Sequence, residues 1–121
     1  AMTHAIGNHL EHLLLLDRFH VSAFARLLER MDQIKEINDT TLLDNTIFTL
    51  GAGMGDGTTH QYNDLPLVVA GGGGGKLKTG SHIHCKRGTP LANLWLTQLR
   101  ALGIKRDKYA DSTGIVSEIQ A

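Results

Sequence analysis

Imidazole and carboxylate side chains lie in two short stretches of the sequence, and together they could hold a metal ion. His4 and His9 are five residues apart before a long helical pattern, and Asp56 and His60 are four apart after a predicted strand. Nitrogen and carboxylate ligands together suit zinc, iron or manganese, and oxygen ligands also suit calcium. Because loops at strand ends often bind ligands in α/β proteins, Asp56 and His60 are candidate ligands for a divalent metal such as zinc, calcium or manganese. His4 and His9 are the other two candidate ligands of that site. The alternative is that Asp56 caps a glycine turn and His60 is a surface residue.

Two glycine-rich stretches resemble nucleotide-binding loops but do not fulfil either motif. The five glycines at residues 71–75 precede Lys76, yet Ala70 stands where a phosphate loop needs its first glycine and Leu77 where it needs a hydroxyl. In the stretch GAGMGDG, Asp56 takes the sixth position of a dinucleotide fingerprint, which requires glycine or alanine. Tight turns at strand ends are the favoured interpretation, and ligand contact is the alternative. No GxSxG elbow is present, which argues against a Ser-His-Asp hydrolase. The catalytic residues are unknown.

Regular apolar spacing predicts one long helix, followed by two short strands. Apolar side chains recur at steps of three and four across residues 10–36, so they share one face of a helix. That stripe contains Leu13, Leu16, His20, Phe24, Leu27, Met31 and Ile34. Residues 46–50 are rich in β-branched and aromatic side chains, and residues 65–70 form an almost wholly apolar run. The apolar run predicts an inner strand of a parallel or mixed sheet, buried on both faces.

The second helix has the clearest start signal in the chain. Thr89 can cap it, Pro90 takes its first position and Gly103 follows its end. Its predicted apolar face contains Leu91, Leu94, Trp95, Leu99 and Leu102, and we expect Trp95 to be at least half buried. The order of elements predicts an α/β fold with helices packed on a small sheet. Because two short strands make a thin sheet, residues 1–121 are expected to be either a single domain or the C-terminal fragment of a larger one.

Composition excludes several classes of protein. The 121 residues carry twelve basic and twelve acidic side chains, and the pI is about 7.3, which argues against a nucleic-acid partner or a polybasic membrane binder. No apolar run reaches the roughly 18 residues of a membrane span, and no signal peptide is visible in this chain. The single Cys85 excludes an internal disulfide.

Several stretches together resemble one protein family. They are TLLDNTIFTLGAGMGDGTTHQYNDLPLVVAGGGGGKLKTGSHI, GTPLANLWLTQLRALGI and DSTG. Through them the chain resembles the C-terminal third of the bacterial HXXSHH-motif proteins, a domain family of unknown function. The naming motif aligns with residues 4–9, where His4 and His9 match. Gly7 stands for the serine of the motif, and Asn8 for the first histidine of its final pair.

The resemblance implies a distant relationship to the alkaline phosphatase and sulfatase superfamily, and therefore a three-layer α/β/α fold. Family members are similar to larger secreted proteins, so the implied location is secreted or periplasmic. The last third of that fold supplies Asp and His metal ligands on loops after strands, and Asp56 and His60 occupy the comparable region. The nucleophile and the other metal ligands would come from an N-terminal portion that this chain does not contain.

Two functions remain as hypotheses. The first is a fragment of a metal-dependent phosphate or sulfate ester hydrolase-like domain, incomplete on its own. The second is a non-catalytic secreted binding or structural domain, which the altered motif at Gly7 and Asn8 favours. In either case the long apolar helix stripe predicts a homo-oligomer, or a missing N-terminal portion that covers the stripe.

Overall fold

The computed structural model describes residues 6–121, with side chains from His9 onward. The elements are α1 (Ile6–Gln33), a 3-10 turn (Ile37–Asp39), β1 (Phe48–Gly51), β2 (Leu67–Ala70), α2 (Ala92–Ala101) and a second 3-10 turn (Ser117–Ile119). Across this part of the chain, helices and a small two-stranded sheet confirm the mixed α/β fold.

Helix α1 lies close to the predicted range but begins and ends earlier. His9 has backbone angles of φ −137° and ψ 20°, outside the helical range, so the first turn is bent away from the rest. The chain reverses after Gln33, because the Leu42 N–H donates to the Ile34 carbonyl and Lys35 bridges Thr41.

The expected parallel or mixed sheet was wrong. β1 and β2 pair antiparallel, with Phe48 opposite Ala70 and Gly51 opposite Leu67. The connection at residues 52–66 contains no helix, and a parallel pair needs a long crossover that is usually helical. β2 is also not buried on both faces, since Val68 is 51% exposed.

Helix α2 starts differently from the prediction and ends as predicted. Its N-cap is Leu91, and the Thr89 hydroxyl donates instead to the Lys86 carbonyl. At the other end Gly103 has φ +82°, and its N–H donates to the Arg100 carbonyl at 3.0 Å. The next N–H, of Ile104, donates to the Leu99 carbonyl at 3.0 Å, which completes a Schellman closure.

The core lies against α2, on a face only partly predicted. The most buried large side chains of the helix are Leu96 and Thr97, neither of which belongs to the predicted stripe. Trp95 is partly buried, as expected, but Leu102 is exposed, so its assignment to the core was wrong. The other buried apolar side chains of α2 are Ala92 and Leu94, and those elsewhere in the described chain are Met31, Leu77 and Val116.

Helix α1 touches this body mainly through its C-terminal half. The Phe24 ring stacks on Phe48 of β1 at a centroid distance of 5.4 Å, and Met31 is buried. Leu16, His20, Leu27 and Ile34 of the predicted stripe are exposed, so only part of the predicted face is buried. The N-terminal half of α1 therefore contributes little to the core of this chain.

Candidate functional site

The predicted pair Asp56 and His60 lies in a tight turn between β1 and β2. The Gly55 N–H donates to the Gln61 carbonyl at 2.8 Å, and the Gln61 N–H donates to the Asp56 carbonyl at 3.2 Å. These bonds close residues 56–60 into a loop whose two ends are held together.

The Asp56 carboxylate organises this turn. One oxygen accepts the Thr58 N–H at 2.8 Å, and the other accepts the Thr59 hydroxyl at 2.6 Å. These donors, Thr59 first, lower the pKa of Asp56 below its ordinary value, because they stabilise the ionised carboxylate. Asp56 therefore caps its own glycine turn, which the sequence predicted as the alternative to metal binding. A carboxylate has about four acceptor positions, so the two hydrogen bonds leave room for a cation as well.

His60 ends the turn in a left-handed backbone conformation, with φ 56°. Histidine is among the residues that adopt this conformation more often than most, although glycine is favoured there. The residue is exposed to solvent.

The two N-terminal candidate ligands lie on or before α1. His4 lies outside the described residues. His9 is partly buried, and its ring stacks with that of His12 at a centroid distance of 6.0 Å. Among residues 6–121, no three His, Cys, Asp or Glu side chains come together in a group that could hold a metal ion. The four-residue site of His4, His9, Asp56 and His60 therefore stays a prediction.

The glycine stretch at residues 71–75 packs backbone against backbone on the turn at residues 42–46. The N–H groups of Gly72, Gly73 and Gly74 donate to the carbonyls of Leu43, Thr46 and Asp44 at 3.2, 3.1 and 2.9 Å. The next three N–H groups, through Leu77, all donate to the Gly72 carbonyl. A phosphate-binding loop needs such N–H groups to point at the ligand, and here they are used within the fold.

Close approach explains the glycine at position 72. A Cβ on Gly72 would lie 2.6 Å from the Asp44 carbonyl oxygen, which a real side chain does not tolerate. The stretch is therefore a packed structural turn, and Lys76 after it is exposed.

The turn beneath these glycines contains a motif that our sequence reasoning missed. The Asp44 N–H donates to the Thr41 hydroxyl oxygen at 3.1 Å, and the Thr41 N–H donates to the Asp44 carboxylate at 2.8 Å. The donated Thr41 N–H is the main cause of a lowered pKa at Asp44. This reciprocal pair has the hydrogen bonds of a capping box, here closing the turn at residues 42–45 and not a helix, and the pattern Thr-x-x-Asp is visible in the sequence.

The largest unassigned feature is the exposed apolar surface of α1. We define this α1 surface as the seven side chains Leu10, Leu14, Leu15, Leu16, Phe19, Val21 and Leu27, all of them substantially exposed. They lie on more than one side of the helix, as their spacing shows. Charged residues such as Glu11, Asp17 and Arg18 lie between them, so α1 is not apolar all round.

Comparison with known proteins adds no family to these observations: no family model, curated protein or solved structure matches the chain. Within the described residues, no helix is long and apolar enough to cross a membrane.

Proposed function

We propose that this chain is a non-catalytic binding or structural segment that docks onto an apolar body through the α1 surface. The observation that carries the proposal is the exposure of large apolar side chains on one element, with Phe19 at 64% and Leu15 at 63%. A concentration of exposed large apolar side chains on one element is typical of surfaces that contact another protein. The rest of the chain supports a structural role, because its glycine loops and acidic turns are satisfied internally.

The proposal includes expectations about the covering body, the location and the partners of the chain. If the chain is the C-terminal third of an alkaline-phosphatase-like α/β/α domain, the body that covers α1 is the N-terminal portion of that domain. If it is not, a homo-oligomer supplies the cover. A secreted or periplasmic location follows from the family resemblance, and we expect no nucleic-acid partner.

Substitutions on the α1 surface test the docking role. We expect the double variant Leu15→Gln/Phe19→Gln to keep the far-UV circular dichroism and thermal stability of the parent, because both side chains are exposed in the chain itself. The same variant should lose binding of an apolar dye and any association measured by light scattering. The matched change Leu96→Gln should unfold the chain, since Leu96 is 1% exposed. Unchanged dye binding and association in the double variant would contradict the proposal.

The ester-hydrolase hypothesis remains a prediction with its own test. Purified chain is titrated with zinc, manganese or calcium by calorimetry, and hydrolysis of aryl phosphate and aryl sulfate esters is followed with each metal. Saturable metal binding and turnover that His60→Ala and Asp56→Asn both remove would favour the hydrolase over the non-catalytic role. Thr58→Ala is the control, since the Asp56 oxygen bonds the Thr58 backbone N–H, which alanine retains.

A further inference from the structure

We infer that residues 76–88, defined here as the basic segment, bind a linear polyanion that carries sulfate or phosphate groups. The basic segment lies outside α1, so this inference does not rest on the docking role proposed for the α1 surface.

The zero net charge of the chain conceals an uneven distribution of charged residues. Residues 65–106 contain no Asp or Glu and seven of the twelve Lys and Arg side chains, whereas the rest of the chain carries all twelve carboxylates. Salt screens exposed charges that lie far apart, so the local charge decides which ligands a surface attracts. A polyanion is therefore excluded by net charge only for the chain as a whole, and not for this stretch.

The basic segment contains four exposed cations that form no ion pair within residues 9–121. They are Lys76, Lys78, Lys86 and Arg87. The cations that follow α2 differ, because the Arg100 guanidinium lies 3.9 Å from the Asp107 carboxylate and its Nε donates to the Arg106 carbonyl. The basic segment is therefore the part of the acid-free stretch whose charge is not offset by a neighbouring carboxylate.

The backbone of the basic segment supplies further hydrogen-bond donors. None of the N–H groups of residues 79–88 donates to an acceptor within the described chain. Both ends of this stretch are nevertheless held, since the Lys78 N–H donates to the Ile119 carbonyl at 2.9 Å and the Thr89 N–H donates to the Lys86 carbonyl at 3.0 Å. Backbone N–H groups bind phosphate oxygens alongside Lys and Arg, so an anchored stretch with unused N–H groups suits an anionic ligand.

The side chains of the basic segment determine the class of partner. No Phe, Tyr or Trp lies between Tyr62 and Trp95, so the segment offers none of these rings to stack on a nucleic-acid base. Leu77 is buried and Ile83 is half-buried, so the segment also lacks the large exposed anchor that is typical of protein interfaces. Charge and hydrogen bonding remain, and a linear polymer of sulfate or phosphate groups is recognised by these two alone.

The test is fluorescence anisotropy of two labelled polymers, a heparin oligosaccharide and inorganic polyphosphate, titrated with the full chain. We expect saturable binding, with a dissociation constant that rises about 50-fold between about 50 and 200 mM salt, because four contacts release counterions. The polymer that binds more tightly identifies the recognised group as sulfate or phosphate. Absence of binding to both polymers at low salt would overturn the inference.

Two double variants locate the contacts. Lys76→Gln/Lys78→Gln and Lys86→Gln/Arg87→Gln should each weaken binding about 10-fold or more at low salt, and each should reduce the salt dependence by about two contacts. Arg26→Gln/Arg30→Gln is the matched control, because it removes the same charge from exposed positions of α1 and should change the dissociation constant less than about twofold. All three variants should keep the circular dichroism and melting temperature of the parent, since every substituted side chain is exposed.

Other outcomes would assign a different partner. Equal weakening by the control pair would show that bulk charge, and not the basic segment, attracts the polymer, which would overturn the inference. Tighter binding of duplex DNA, poly-glutamate, or vesicles of phosphatidylcholine and phosphatidylserine than of either polymer would also overturn it.

Discussion

The buried hydroxyl of Thr97 is the point where the C-terminal tail is tied to α2. The side chain is fully buried, at 0% exposure. Its hydroxyl donates to the Asn93 carbonyl at 2.6 Å and accepts the Val116 N–H at 2.9 Å. Valine has nearly the same shape but no oxygen, so Thr97→Val leaves the buried Val116 N–H without a partner. An unsatisfied buried donor costs about 1–3 kcal/mol, a large share of the roughly 5–15 kcal/mol that stabilises a domain.

Urea unfolding followed by circular dichroism measures this cost. We expect Thr97→Val to lower the free energy of unfolding by about 1–3 kcal/mol. Thr97→Ser keeps the hydroxyl and loses one methyl group, so it should cost less, about 1 kcal/mol. The exposed control Thr79→Val should change stability by less than about 0.5 kcal/mol. If Thr97→Val is no more destabilising than Thr97→Ser, the hydrogen bond to the tail does not contribute as argued.

Three further changes test the turns. Gly72→Ala should lower unfolding free energy by about 1–3 kcal/mol through the clash with a backbone carbonyl, whereas Gly53→Ala, with open space around it, should cost far less. Lys76→Ala should leave the melting temperature unchanged, because that side chain is exposed, and a large loss would contradict a purely structural glycine turn. The Asp56 carboxyl carbon should titrate in NMR spectra below the ordinary aspartate value of about 3.9, and Thr59→Val should raise that pKa. Because the pKa of Asp56 is lower in the folded chain, its ionised carboxylate stabilises the turn at pH values above the ordinary aspartate pKa. This stabilisation is lost as the pH falls through the folded pKa.

Local pattern was enough to place the elements that the structure contains. The step of three and four in α1 and the β-branched run of β1 are properties of neighbouring residues, so their approximate ranges could be predicted. The C-terminal closure at Gly103 is equally local. The direction of strand pairing is not local, because an apolar run such as residues 65–70 suits either a central parallel strand or one of an antiparallel pair.

The buried face of α2 shows where sequence reasoning ended. Thr97 is polar and was not assigned to the core, yet it is buried because its hydroxyl has a partner at Val116, 19 residues further along. Nothing in the spacing of α2 reveals that partner. The candidate metal site shows the same limit of prediction from sequence. The role of Asp56 in its own turn was foreseen as an alternative, while any meeting of Asp56 with His9 depends on tertiary contacts that no motif specifies.

The two parts of the described chain differ in how densely they expose large apolar side chains, although Ile37, Tyr62 and Val68 show that the later part exposes some as well. From Met31 onward, the glycine turn, the Thr41 capping box and the Thr97 hydrogen bonds use local and long-range partners within the chain. Before Phe24, α1 exposes large apolar side chains that gain nothing from this body. An isolated helix gains little stability from propensity alone and depends on burial of its apolar side. The exposed half of α1 would therefore gain stability from an apolar partner, as the docking proposal expects, and this expectation holds whether or not the Asp56 turn binds a metal.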